Sequence, residues 1–253
     1  EANYFLKNQK AIKYENSSPS SIDVIPSLLI GVNYFALKKI KGQAGNWSEF
    51  GKWRYEFLKN GNDELSENIK LRVNNLVKNV KDPIEKAKII YSYVQNKTRY
   101  ISVQEGIGGW QPIAANKVDK VGYGDCKGLT NYTKTLLDAV GVKSHYSVIW
   151  AGEEKRSVEK DFFGMQGNHV ILNIPNKGKD IWLECTSQII PFGFLGDFTD
   201  DRNVLVITPE GGIIKRTTSY KNEANLQEIK ATVQLEKDGS LKAKLSIVSK
   251  GLQ

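Results

Sequence analysis

The sequence predicts an α+β fold, and three observations predict it. Apolar residues recur at helical spacing through the first half, and the segments after Val142 alternate with the period of strands. Between them a glycine-flanked cysteine, Cys126, opens a helix expected to pack on the antiparallel sheet that those strands form. The chain has 253 residues and a hydrophobic fraction of 40%, enough for one large domain or two modest ones.

The elements follow in order. Tyr4 to Leu37 reads as short strands broken by the polar loop ENSSPSS and by Pro26. From Trp47 the character changes, and SEFGKWRYEFL reads as a helix with Ser48 as its N-cap. Leu65, Ile69, Val73, Leu76, Val77 and Val80 give the segment Asp63 to Val80 one apolar face. The next helix begins at Asp82-Pro83-Ile84-Glu85, where the aspartate can cap, the proline suits the first helical position and the glutamate can close a capping box. Its buried stripe is expected to be Ala87, Ile90, Tyr91 and Val94.

A short strand at Arg99 to Val103 leads into the glycine-rich loop QEGIGGWQP and then GYGDCKGLTNYTKTLLDAVGV. There Leu129, Tyr132, Leu136 and Val140 mark a helix face, with Gly141 as the stop. The strands SHYSVIW, NHVILNIP, DIWLECT, NVLVIT and IIKRTT follow, and EIKATVQLEKDGSLKAKLSIVS reads as a hairpin turning at Asp238-Gly239.

The bulk numbers exclude several classes. The net charge of +8 comes from lysines scattered along the whole chain, with no zinc-finger, helix-turn-helix or RNA-binding signature, so a nucleic-acid partner is not expected. No run of about 18 apolar residues supports a membrane span. Two cysteines and two histidines without a CxxC motif offer no disulfide scaffold and no zinc site, so no metal or cofactor is expected. The chain starts on Glu1 rather than Met and stops at Gln253 inside a strand-like pattern, and it reads as a piece of something longer.

Each cysteine then needs an explanation. Cys126 at a helix N-terminus sits where unpaired N–H groups and the helix dipole favour a thiolate. Position alone leaves a reactive thiol and a small buried hydrophobe equally open. His169 begins one strand and Glu184 lies near the end of the next. A hairpin folded about Asn176 and Lys177 would set them directly opposite, with Cβ atoms about 4.5–5.5 Å apart, so that the carboxylate takes the imidazole N–H and fixes its tautomer. A slip of one residue would put them on opposite faces. Cys185 shares its face with Ile181 and Leu183 and reads as a core thiol, and His145 has no carboxylate in register and reads as structural. Donors for an oxyanion would be the backbone N–H of Cys126 and one of the side chains Gln104, Trp110 or Gln111, which the sequence does not distinguish.

The helix before RYISV, the loop leading to YGDCKG, the NHVIL strand and the WLECT strand together resemble the transglutaminase-like superfamily over about Asn60 to Ile207. The resemblance is to bacterial proteins in which a papain-like core sits between β-sandwich domains. It implies Cys126 as nucleophile, His169 as base and Glu184 as the third member of a triad, where the family pattern usually shows aspartate. It also implies boundaries: residues 1–42 as the tail of a preceding β domain, 43–226 as the core and 227–253 as the start of a following β domain. The implied activity is acyl transfer from a peptide or protein amide through a Cys126 thioester, with hydrolysis ahead of cross-linking to an amine. A non-catalytic peptide- or glycan-binding domain is the alternative from another class. The family also implies a periplasmic or cell-surface location.

Overall fold

The apolar stripes fold as helices, and two of those helices carry the site. The computed structural model describes residues 3–13, 15–16 and 18–252. Glu1, Ala2, Tyr14, Ser17 of the ENSSPSS loop and Gln253, which belong to the expected flanking segments, lie outside the described residues.

Of the short strands expected over Tyr4 to Leu37 only the last forms: the described residues before Tyr34 contain one short helix, α1 (Ser21–Val24), and no strand. A strand needs a partner for its backbone N–H and C=O groups. The first to find one is β1 (Tyr34–Leu37), which pairs antiparallel with β2 (Ile40–Gln43). Then comes α2 (Trp47–Lys59), capped not by Ser48 but by Asn46, whose side chain accepts from the Glu49 N–H at 2.9 Å. Ser48 instead donates to the Glu210 carbonyl.

Helix α3 (Glu67–Leu76) is shorter than the periodicity predicts, and it buries Ile69 and Val73 while Leu76 stays exposed. Helix α4 (Pro83–Lys97) starts as expected, with Asp82 accepting from the Ile84 N–H at 2.9 Å. Glu85 pairs with Lys88 rather than closing the capping box. Its stripe of Ala87, Ile90, Tyr91 and Val94 is buried. The next strand, β3 (Arg99–Tyr100), is only two residues long. A 3₁₀ turn at Gly106–Gly109 and a helix that the sequence pattern does not predict, α5 (Ala115–Val121), lead to β4 (Tyr123–Gly124), which lies parallel to β3.

Helix α6 (Cys126–Ala139) is central and buried on nearly every side. Strands β5 (His145–Ile149), β6 (His169–Ile174), β7 (Ile181–Leu183), β8 (Asn203–Thr208) and β9 (Gly211–Arg216) form one sheet in the order β7-β6-β5-β8-β9, with every pair antiparallel. The exposed hairpin of β10 (Gln227–Leu235) and β11 (Leu241–Ser249) turns through Asp238 and Gly239 as expected. No described helix is long and apolar enough to cross a membrane.

Apolar clusters hold the sheet on both faces. On one face helices α3 to α6 close over Leu172, Ile174 and Leu183 and α2 closes over Tyr146, Val148 and Leu205, since Tyr146 pairs with Leu172 and Val148 with Leu205 across the sheet. On the other face Ile149, Ile171, Trp182 and Val204 pack with Leu195 in a third cluster. Helix α2 can lie this close to β9 only because Gly51 has no side chain: a Cβ there would fall 1.8 Å from the Gly212 nitrogen. That contact fixes the depth at which the buried face of α2 enters the core.

Candidate active site

Cys126 is the first residue of α6, and the sequence around it makes that terminus rigid. The Asp125 side chain caps the helix by accepting from the Gly128 N–H at 2.9 Å, a contact worth about 1 kcal/mol. Lys127 turns back to form a buried ion pair with Asp125. The thiol is nearly buried, at 4% exposure, and faces a cavity of about 190 Å³ whose walls include Gln104, Lys127, Asn168 and His169.

His169 is the first residue of β6, and the approach to it is tightly held. Gly167 adopts φ +97°, and a Cβ there would lie 2.8 Å from the Ile149 carbonyl oxygen, so only glycine fits. Asn168 then pins the Ala151 backbone from both sides, accepting from its N–H and donating to its carbonyl. The imidazole Nε2 lies 2.8 Å from Glu184 Oε2, which leaves Nδ1 for the thiol. Glu184 is held in turn by Thr186, whose N–H and hydroxyl both donate to Oε1 at 3.0 and 2.5 Å. Phe198 covers the imidazole edge-on with ring centroids 5.4 Å apart.

The structure thus brings Cys126, His169 and Glu184 together, but by a different register from the one the hairpin pattern predicts. Leu172 pairs with Leu183 and Ile174 with Ile181, so extending the ladder sets Glu184 opposite Ile171 rather than His169. The slip is two residues, which preserves the face. His169 and Glu184 become diagonal neighbours, about 7–8 Å apart at the backbone, and the length of a glutamate spans that gap.

The charges follow from this geometry. Burial opposes the imidazolium, but the Glu184 carboxylate and the hydrogen-bonding influence of Cys126 outweigh it and raise the His169 pKa to about 10. Burial likewise opposes the Glu184 carboxylate, and the His169 charge with the two Thr186 donors overcomes it and holds the group below its ordinary range. The thiol and the ring line one cavity and influence each other, without the close, aligned hydrogen bond that ties the ring to Glu184. Such looseness is common in sites without substrate.

The remaining sequence-derived residues separate clearly. Gln104 lines the Cys126 cavity, with its amide donating to Ser102. Trp110 lines a neighbouring apolar cavity, and Gln111 accepts from Lys38 outside both. Cys185 packs in the core with Leu172 and Leu183, and burial pushes its thiol up to about 12. His145 is buried on β5, where burial and the nearby lysines lower its pKa to about 4. Among the residues of the cavity wall that escaped the sequence reading is Arg54 of α2, wholly buried. Its signal was present as a charge inside the stripe Trp47, Phe50, Gly51, Arg54, Phe57, Leu58.

A difference between the two thiols follows. With a thiol-directed electrophile at pH 7–8, Cys126 should take the label first, since an imidazolium beside a sulfur favours the thiolate whereas apolar burial disfavours it. Peptide mapping of the adduct checks this, and prior labelling of Cys185 would contradict it.

Residues 71–188, which include all three of Cys126, His169 and Glu184, match the family model described as "Transglutaminase-like superfamily". Among solved structures the chain is similar to a protein from Parabacteroides distasonis ATCC 8503 provisionally described as a protease, at 14% identity and a TM-score of 0.53 over 85% of this chain and 43% of that one. It also matches a protein from Cytophaga hutchinsonii provisionally described as a cysteine protease, at 12% identity and a TM-score of 0.38 over 72% and 51%. The first likeness bears on the fold alone, and the second is too slight to add to it. The chain spans less than half the length of the first and about half of the second. No curated protein matches it.

Proposed function

We propose, from the match of residues 71–188 to the transglutaminase-like superfamily model, that the chain is a thiol-dependent acyltransferase acting on amide bonds, and that water is the acyl acceptor. The observation that carries this reading is the buried line from Cys126 through His169 to Glu184, with Nε2 and Oε2 2.8 Å apart. A binding module has no use for a carboxylate that holds a histidine in its cationic form beside a thiol.

The steps follow from the atoms present. Cys126 Sγ attacks the amide carbonyl carbon, and the developing oxyanion accepts hydrogen bonds from the Cys126 N–H and the Gln104 side chain. The C–N bond breaks as the proton on His169 passes to the departing nitrogen, leaving a thioester and a neutral imidazole. Water then attacks the thioester, its proton goes to His169, and the C–S bond breaks to release the acid and restore the thiolate. The neighbouring cavity, about 330 Å³ and walled by Phe35, Phe50, Trp53, Trp110 and Phe163, meets the thiol cavity at Met165. It suits an apolar side chain next to the scissile amide.

The provisional description of the Parabacteroides protein as a protease favours water over an amine. On this reading the partners are peptides or protein amides. The resemblance to exported, multi-domain proteins supports a periplasmic or cell-surface location and continuity with β domains on both sides. The test is intact-mass spectrometry after mixing with a panel of peptide amides. A Cys126 acyl adduct that decays to free acid is expected, and adding a primary amine should not divert the product. Diversion to the amine would replace hydrolysis with cross-linking, and the absence of any adduct across the panel would remove the acyl-transfer reading.

A further inference from the structure

We propose that Arg54 sets the specificity of the Cys126 cavity by binding a carboxylate carried by the amide substrate. The inference rests on the acyl-transfer reading above and states which amides that site takes.

Arg54 occupies a position that the sequence pattern of α2 assigns to an apolar residue. Trp47, Phe50 and Gly51 precede it and Phe57 and Leu58 follow it on the buried face. The residue is 2% exposed, and its Nε and Nη1 are buried without a hydrogen-bond partner. No described carboxylate lies within ion-pair distance of it. The titratable group that acts on it is the Tyr146 hydroxyl, which is close enough to interact electrostatically but makes no aligned hydrogen bond and is itself unpartnered. The guanidinium otherwise packs 5.4 Å from the centroid of the Phe57 ring.

A buried cation in this state works against folding, and a well-packed apolar residue in its place is often neutral or stabilising. The arginine therefore calls for a reason outside the folded chain. Its location supplies one, because the side chain lines the same cavity as Cys126 and His169. The other two cations of that wall are already matched, Lys127 by Asp125 and His169 by Glu184. Among the described residues Arg54 is thus the one cation of the cavity without a carboxylate. Burial lowers its pKa, yet an arginine keeps its charge at neutral pH. The planar fork of a guanidinium matches a carboxylate in two parallel hydrogen bonds, and the residue lines the cavity in which the substrate would sit. Arg54 also lies outside the 71–188 segment that matches the family model, so this feature is read from the chain itself.

The carboxylate can belong to an aspartate or glutamate side chain or to a peptide C-terminus, and matched substrates separate the two. One pair differs only by Glu against Gln beside the scissile amide, and the other only by a free against an amidated C-terminus. We expect one acidic member to exceed its neutral twin in kcat/KM by roughly 10²-fold or more, because the neutral twin leaves a buried polar group unpaired. Arg54→Met should abolish that preference, bringing the kcat/KM ratio of the acidic and neutral twins to about one, and Arg54→Lys, which keeps the charge without the fork, should retain part of it. The same peptides, added to the Cys126→Ala protein, should raise Tm only in the acidic form, and Arg54→Met in that background should remove the rise.

Cleavage without any acidic preference, or an equal loss for acidic and neutral twins in Arg54→Met and Arg54→Lys, overturns the assignment and leaves the acyl-transfer reading intact. A carboxylate-selective rise in Tm without cleavage of any peptide has the opposite meaning: Arg54 stands and the activity falls. If neither turnover nor Tm responds to the carboxylate, the Arg54 assignment is overturned.

Discussion

Replacing Cys126 by alanine is expected to lower kcat by roughly 10⁴-fold or more while the protein keeps its fold. The side chain is a small member of the cluster with Tyr146, Val148 and Val170, so removing one sulfur costs about 1 kcal/mol, little against an ordinary domain's stability. The chemical loss is of another order, because Cys126 carries the one thiol among the residues that line the cavity. His169→Ala should lose about as much, since without the imidazolium the thiolate loses its counter-ion and the leaving nitrogen its proton. Combining the two should add little, as groups that work as one unit do not contribute additively. Steady-state kinetics on a substrate that labels Cys126 provide the measurement. Independent, multiplying losses would mean that the thiol and the imidazole do not act on the same step.

The parts of this site legible in sequence are those set by local pattern, and the parts that were not depend on contacts between distant segments. Asp125-Cys126 before a run with Leu129, Tyr132 and Leu136 announces a helix start, and α6 begins there. The alternation of His169 to Ile174 and of Ile181 to Leu183 announces two strands, and it also assigns Cys185 to the core. Register is different, because several turns fit the same two strands. Gly178 takes the left-handed conformation at φ +85°, and the connection spans the residues between Ile174 and Ile181 rather than two residues at Asn176 and Lys177. The apolar pairing of Leu172 with Leu183 and Ile174 with Ile181 decides between them. The expected strands before Tyr34 fail for a related reason, since propensity alone supplies no pairing partner. Arg54 was visible in the helical stripe of α2, but its meaning required knowing that the stripe faces the cavity beside Cys126.

Glu184→Gln is expected to lower kcat by roughly 10²–10⁴-fold and to shift the alkaline limb of the pH profile downward. The sign follows from the charges. His169 must be protonated to supply the leaving nitrogen, so activity is lost as pH rises through its pKa, raised to about 10 with Glu184 as the leading raising influence. Taking that carboxylate away lets burial pull the pKa down, and the limb follows. The neutral side chain also carries a geometric penalty. Thr186 donates to Oε1 through both its N–H and its hydroxyl, so the amide oxygen of a glutamine is held there and its NH₂ turns toward Nε2. That arrangement selects the tautomer with the proton on Nδ1, facing the thiol, where the ring can no longer accept the thiol proton. Glu184→Asp tests the diagonal register instead. It keeps the charge but shortens the reach by one methylene across a contact that is 2.8 Å in length, and a misplacement of about 1 Å can cost on the order of 10²-fold. The aspartate should therefore lose activity while keeping more of the high-pH limb than the glutamine does. The kcat pH profiles of the three proteins check both points. An aspartate variant as active as the parent would mean that the strands adjust to bring the shorter carboxylate to the ring, and a glutamine variant with an unmoved limb would show that Glu184 does not set the charge of His169.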